Sequence, residues 1–169
     1  VMIWDFGLSL EMHEYLHKNN VNVSPPLKHP MNSWFYKPRA MLETPSDKVC
    51  WIDADCEVLQ PLDEIFNYPT STKMALTKDL VRPMFWATGV NVIKGRPDIL
   101  MRWVERCENN PKGTRGDQEC LGDLIGVSDD YIVEMPQEFQ WLRLMLDRGY
   151  DSSDKKIIHW TGPIGKQHI

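Results

Sequence analysis

Val49-Cys50-Trp51-Ile52-Asp53-Ala54-Asp55-Cys56-Glu57-Val58 runs from a short apolar strand into a pair of carboxylates. Val49 to Ile52 reads as a buried strand, and Asp53 and Asp55 stand at its carboxyl end. In open α/β sheets, ligands bind outside the carboxyl ends of strands. Two carboxylates two residues apart at such a place can share one hard cation. Turn chemistry is the plainer alternative, because Asp is common where a strand stops. The D-x-D spacing is short and frequent, and alone it leaves both readings open. A phosphatase of the aspartyl-phosphate class also places D-x-D after a strand, but it carries Thr or Val where Glu57 stands here.

Outward from this strand the pattern alternates between strands and helices. Upstream, Val1 to Trp4 reads as a strand and Ser9 as a helix cap. Leu8, Met12, Tyr15 and Leu16 fall on one helical face, and Val21 to Val23 make a second strand, giving a strand-helix-strand unit. Pro38 suits the first turn of a helix through about Glu43. Downstream, a short helix is expected over Pro61 to Phe66 and strands over Met74 to Leu76 and Trp86 to Ile93. Ile99, Leu100, Trp103, Val104 and Cys107 mark an amphipathic helix that Asn109-Asn110-Pro111 ends. Gly116-Asp117-Gln118 opens another through about Ile125, and Tyr131 to Val133 and Lys156 to Ile158 are further strands. The Trp141 segment has no clear period.

Composition bounds the function. The 169 residues suit one domain, and 42% hydrophobic residues with seven Trp suffice for a core. A net charge of -5 without a basic run argues against a nucleic-acid partner. There is no apolar stretch of about 18 residues that would cross a membrane. Asp5 and Glu11 interrupt the first apolar segment, so no signal peptide is read. Cys50, Cys56, Cys107 and Cys120 form no C-x-x-C pair, which favours free thiols and a cytoplasmic setting.

Other residues carry candidate chemistry. His159 ends the strand Ile157-Ile158, and an imidazole joined to carboxylates suits Mn2+ better than Ca2+. A hydrogen-bonded strand-end histidine is the alternative. Lys166 and the backbone of Gly162 and Gly165 can approach a diphosphate, unless Lys166 is a solvated tail residue. Gly89 within an apolar strand suggests close approach of a ligand or backbone, or a bulge, with Asn91 on the same face by the two-residue period. Asp117 and Gln118 at a helix start suit sugar hydroxyls, although Asp117 can simply cap the helix. Lys37 at a helix start suits a phosphate, with Arg39 as its rival. Trp51, Trp103 and Trp141 read as core, while Trp86 and Trp160 border the candidate site and can stack on a sugar or base. His13 and His17 read as a solvated helix face.

In order along the chain, Val49 to Val58, Thr88-Gly89-Val90-Asn91-Val92-Ile93, Arg115-Gly116-Asp117-Gln118 and His159-Trp160-Thr161-Gly162 with Lys166 resemble GT-A fold glycosyltransferases, especially glycosyltransferase family 8 and its relatives. Asp5-Phe6-Gly7-Leu8-Ser9 resembles the D-x-G-L-S turn of many such enzymes. The resemblance implies an α/β fold with a mixed, mostly parallel central sheet flanked by helices. It implies a single glycosyltransferase domain over 1–169, truncated at its amino terminus because the strand and helix that usually precede the Asp5-like turn are missing. It implies Mn2+, or Mg2+, on Asp53, Asp55 and His159. The donor, a nucleotide diphosphate sugar such as a UDP-sugar, would meet Lys37, Asp53, Gly89, Asn91, Gly162 and Lys166. Catalysis would centre on Asp117 and Gln118, with retention at the anomeric carbon and a glycan or other hydroxyl as acceptor. The tail departs from the family's H-x-x-G-x-x-K-P-W: one extra residue precedes Lys166, and Gln167-His168 replaces Pro-Trp. Two other functions remain in view. One is a non-catalytic nucleotide-sugar-binding module; the other, a nucleotidyltransferase, would need a Gly-rich phosphate loop that this sequence lacks.

Overall fold

The computed structural model describes residues 1–27, 32–83, 85–109, 114–149 and 154–168. The loop around His29 and the expected helix stop at Asn110-Pro111 lie outside the described residues. Strand β1 (Met2–Ile3), helix α1 (Leu10–Lys18) and strand β2 (Asn22–Val23) form the expected unit, with β1 and β2 parallel. The Asp5 turn joins β1 to α1: Asp5 Oδ1 accepts from the N–H groups of Gly7 at 2.8 Å and Leu8 at 2.7 Å. Ser9 caps α1 by accepting from Met12 N–H. No residue of α1 is buried, so its expected apolar face is largely open; Met12 and Tyr15 are exposed.

Helix α2 (Lys37–Glu43) carries Pro38 in its first turn, where the missing N–H costs nothing. Strands β3 (Lys48–Ile52) and β4 (Cys56–Val58) flank the acidic motif. The expected helix after Pro61 is a 3-10 turn over Asp63–Asn67. Strands β5 (Met74–Lys78) and β6 (Trp86–Lys94) precede helices α3 (Asp98–Glu108) and α4 (Asp117–Ile125) and strand β7 (Ile132–Glu134). The Trp141 segment holds strand β8 (Trp141–Leu142) and helix α5 (Arg143–Asp147), and strand β9 (Ile157–His159) and the turn α6 (Gly162–Gly165) follow.

The central sheet runs β3-β6-β5-β7, and a second sheet runs β4-β9-β8. The α/β class stands, but the sheet is not mostly parallel. Only β5–β7 is parallel in the central sheet, whereas β3–β6 and β5–β6 are antiparallel. For β5–β6 the reason is local: only residues 79–85 separate the two strands along the chain, too few for a parallel crossover.

Side-chain alternation along the strands divides the core between the two faces of the sheet. Helices α2, α3 and α4 cover one face, where Met41, Ile93, Ile99, Leu100, Trp103, Cys107 and Leu121 pack together. Each large apolar side chain fully buried there contributes roughly 2 kcal/mol. Val90, Val92, Phe139 and Ile157 fill the other side, toward the second sheet. Trp103 and Trp141 are buried as expected, and so is Trp86, at 4% exposure, which removes it as a stacking platform. All four cysteines are free. Among the described residues no helix is long and apolar enough to cross a membrane.

Candidate active site

Asp53, Ala54 and Asp55 form a turn between β3 and β4. Cys56 N–H donates to Asp53 O at 3.0 Å, which closes the turn between β3 and β4. Asp53 N–H donates to Gly89 O at 2.8 Å, and Trp160 N–H to Asp55 O at 2.8 Å, so both sheets hold the turn. The two carboxylates then part. Asp53 takes a hydrogen bond from Trp51 Nε1 at 2.6 Å and an ion pair with Lys37 Nζ at 3.0 Å. Asp55 Oδ1 lies 3.1 Å from His159 Nε2.

Lys37 is the centre of the first cluster. Its ammonium also lies 3.1 Å from Asp117 Oδ2 and donates to Thr88 O at 2.6 Å. Burial alone would discharge this lysine, but Asp117 and Asp53 more than reverse that and hold it as an ammonium. Asp117 goes the other way: burial, aided by the repulsion of Asp53, lifts its carboxyl above the ordinary range against the pull of Lys37. Two carboxylates thus share one cation.

Asp117 does not cap its own helix. Gly116 occupies the cap position of α4, and the Asp117 side chain turns to Lys37. The indole of Trp103 donates to Asp117 O at 2.8 Å and fixes the helix start to the core of α3. Gln118 is held separately, by Nε2 donating to Asp79 Oδ2 at 2.9 Å. Asp79 is buried and also accepts from the N–H groups of Val81 and Arg82 and from Arg82 Nε. Arg39, the rival of Lys37, pairs with Glu108 on α3.

His159 sits on Gly89. A Cβ on Gly89 would clash with the imidazole, at 2.6 Å from Cε1, and with Gln140 Nε2 at 2.9 Å. The close approach is therefore made by the His159 and Gln140 side chains. The register of β5 on β6 shifts between Ala75 and Thr77, so a bulge is present as well. The bulge gives Gly89 and Asn91 different neighbours. Asn91 is buried and donates to Thr88 O at 2.6 Å, beside Lys37. Gln140 Oε1 accepts from Val90 N–H at 2.7 Å and its Nε2 lies 3.5 Å from His159 Nδ1.

Burial works to raise the Asp55 carboxyl, but the hydrogen bond and attraction of His159, with Lys166 beyond, hold it below its ordinary range. Burial, then Asp53 and Asp55, push the Cys56 thiol up. After His159, Gly162 adopts a φ of +80° and opens the turn α6, which returns Lys166, exposed, toward Asp55. Trp160 stacks on His168 at 4.6 Å and donates to Glu57 from Nε1 at 3.0 Å. His168 thus supports the indole in this variant tail.

No family model matches the sequence, and no curated protein matches it. Solved structures do. The glycosyltransferase GlyE of Streptococcus pneumoniae TIGR4 superposes with a TM-score of 0.69 at 16% identity, over 96% of this chain and 47% of GlyE. The galactosyltransferase LgtC, solved with donor and acceptor sugar analogs, gives 0.67 at 16% identity over 96% and 76%. A glycosyltransferase involved in glycosylation of the major capsid of PBCV-1 gives 0.64 at 11% identity over 98% and 96%. The fold is GT-A. The chain spans about half the length of GlyE.

Within this GT-A fold, most of the expected site residues gather in three places, while Gly162 and Lys166 lie at the two ends of the turn α6. Lys37, Asp53 and Asp117 meet on one ammonium, with Asn91 beside them. Asp55 and His159 meet each other above Gly89. Gln118 stands in the Asp79 network. The ligand atoms of Asp55, His159 and Cys56 lie within 4.8 Å of one another, a set that suits a divalent cation, whereas Asp53 is not among them. Sequence reasoning missed Asp79, Thr88 and Gln140. Asp79 carried one signal, an acidic residue just past the end of β5, equivalent in place to Asp53 after β3.

Proposed function

We propose that the chain is a glycosyltransferase that moves a sugar from a nucleotide diphosphate sugar, a UDP-sugar in first place, to an acceptor hydroxyl. The observation that carries this reading is the meeting of Lys37 with Asp53 and Asp117, next to the Asp55–His159 pair, at strand ends of a GT-A fold. Asp55 and His159 are the residues that would hold Mn2+ or Mg2+, whose charge when bound neutralises a diphosphate. Lys166 adds charge on the solvent side, and the Gly162 turn brings its backbone close. Lys37 has its hydrogens directed at protein oxygens, so its part is to position Asp53 and Asp117. Asp117 and Gln118 hydrogen-bond the donor sugar, Gln118 with its amide oriented by Asp79. Retention at the anomeric carbon follows the family resemblance.

The test is hydrolysis of a panel of nucleotide sugars with and without Mn2+. Turnover that needs the metal and is lost in Asp55→Ala supports the reading; turnover unaffected by Asp55→Ala overturns it. The engagement of Asp53 by Lys37 and Trp51 favours one second reading, a binding module. Metal-dependent UDP binding by calorimetry, with no turnover of any donor, would select that reading.

A further inference from the structure

Cys56 and His159 stand directly opposite each other in the antiparallel pairing of β4 with β9. Directly opposed residues project from the same face of a sheet. Asp55 adjoins Cys56 and already reaches His159 Nε2 at 3.1 Å. One thiol, one imidazole and one carboxylate oxygen therefore converge within 4.8 Å. Asp53, the other carboxylate of the motif, is drawn away to Lys37 and Trp51. A set of two carboxylates and an imidazole would suit a hard cation such as Mn2+. The set on this side of the turn instead carries oxygen, nitrogen and sulfur, and sulfur selects softer ions.

We infer that Cys56 is a third protein donor of this metal site, and that the site prefers Co2+ and Zn2+ to Mn2+, and Mn2+ to Mg2+. The inference rests on the metal reading of Asp55 and His159 given above. It adds a ligand and a selectivity that the D-x-D motif and the strand-end histidine do not supply. On coordination a sulfur–metal bond forms and the thiol proton passes to solvent, with no change of oxidation state. The competing role for Cys56 is packing, because it also touches the apolar cluster around Val90 and Ile157.

Co2+ separates the two roles, because a thiolate on Co2+ gives a near-ultraviolet charge-transfer band that carboxylates and imidazoles do not. The untagged 169-residue chain is titrated with Co2+ and, in parallel, with Mn2+. The expected result is a charge-transfer band that saturates with the tightest-bound Co2+ and is absent in Cys56→Ser and Cys56→Ala. Both variants should bind Co2+ at least about tenfold more weakly, since loss of an outer-shell partner alone costs that much. Their Mn2+ affinity should change by less than about threefold, as this ion gains little from sulfur. Binding of Co2+ without the band, or a band that survives in both variants, overturns the role of Cys56 and leaves the Asp55–His159 site standing. Absence of Co2+ and Mn2+ binding altogether overturns the metal reading with it. Cys56→Ala preserves apolar packing, so unchanged Co2+ affinity in that variant assigns the residue to the core.

Discussion

Lys37 Nζ lies 3.1 Å from Asp117 Oδ2 and bridges the amino terminus of α2 to that of α4. Asp53 takes the same ammonium from the end of β3. Replacing Lys37 by Met leaves two part-buried carboxylates facing each other without a counter-charge. Breaking a fully buried pair in this way costs about 3–5 kcal/mol, an upper bound here because Asp53 keeps contact with solvent. We expect a loss within that bound for Lys37→Met in urea unfolding, and a partial return of stability when Asp117→Asn is added. The coupling between the two substitutions should exceed about 1 kcal/mol. Additive effects would mean that the pair is not an energetic unit.

Gly89→Ala should act through His159. The added Cβ falls on the imidazole and on Gln140 Nε2. The glycine lies in the central strand β6, where the backbone has little room to yield. Overpacking of this kind costs about 1–3 kcal/mol. The imidazole should leave Asp55, and divalent-cation affinity should fall by about tenfold or more. A melt and a metal titration of the same variant check both effects. Unchanged metal affinity would separate His159 from the site.

The parts of this site that were legible in the sequence are those whose signal is local. Asp53 and Asp55 follow an apolar run, His159 ends another, and Ile99 to Cys107 repeat at a helical period; each is placed as expected. What was not legible depends on partners far along the chain. Strand β4 has three residues, two of them exposed, and exists because β9 pairs with it across about a hundred residues. The departure of Asp53 toward Lys37 depends on where α2 docks, and no spacing rule encodes that. The role of Asp117 illustrates the same limit. A helix-start aspartate usually answers its own helix, but here Gly116 takes the cap position and Lys37 takes the carboxylate. The period of α1 showed a face, and a period carries no record of what covers it.

Asp5 gives the stability a pH signature. Its carboxyl is held below the ordinary 3.8 chiefly by the N–H groups of Leu8 and Gly7, which outweigh burial, with His13 at 3.0 Å assisting. A group with a depressed folded pKa stabilises the fold above its unfolded pKa and loses that contribution as pH falls through the folded value. Asp5→Asn should therefore be less stable than the wild type at pH 6. The gap should close below pH 3.8, as Asp5 takes up its proton. Denaturant midpoints across that range check this. A gap that does not change with pH would assign the loss to geometry and not to charge.

Gly165 and Lys166 separate the shape of the terminal turn from its charge. A Cβ on Gly165 would meet the backbone of Trp160, with Trp160 Cα at 3.0 Å and the carbonyl closer still. That backbone cannot move freely, because Trp160 N–H is bonded to Asp55 O. Gly165→Ala should lift the turn α6 off the strand end, lower stability by about 1–3 kcal/mol, and carry Lys166 away from Asp55. Lys166→Ala removes the charge alone. Lys166 is exposed, so its loss should leave unfolding midpoints within the small range typical of surface changes, about 0.5 kcal/mol. If Lys166 meets the donor diphosphate, both variants should weaken UDP binding in calorimetry by a similar factor, and only Gly165→Ala should lose stability. The Lys166 contribution should also shrink at high salt, because an exposed charge is screened. Equal UDP affinity in Lys166→Ala and wild type would remove this lysine from the donor site.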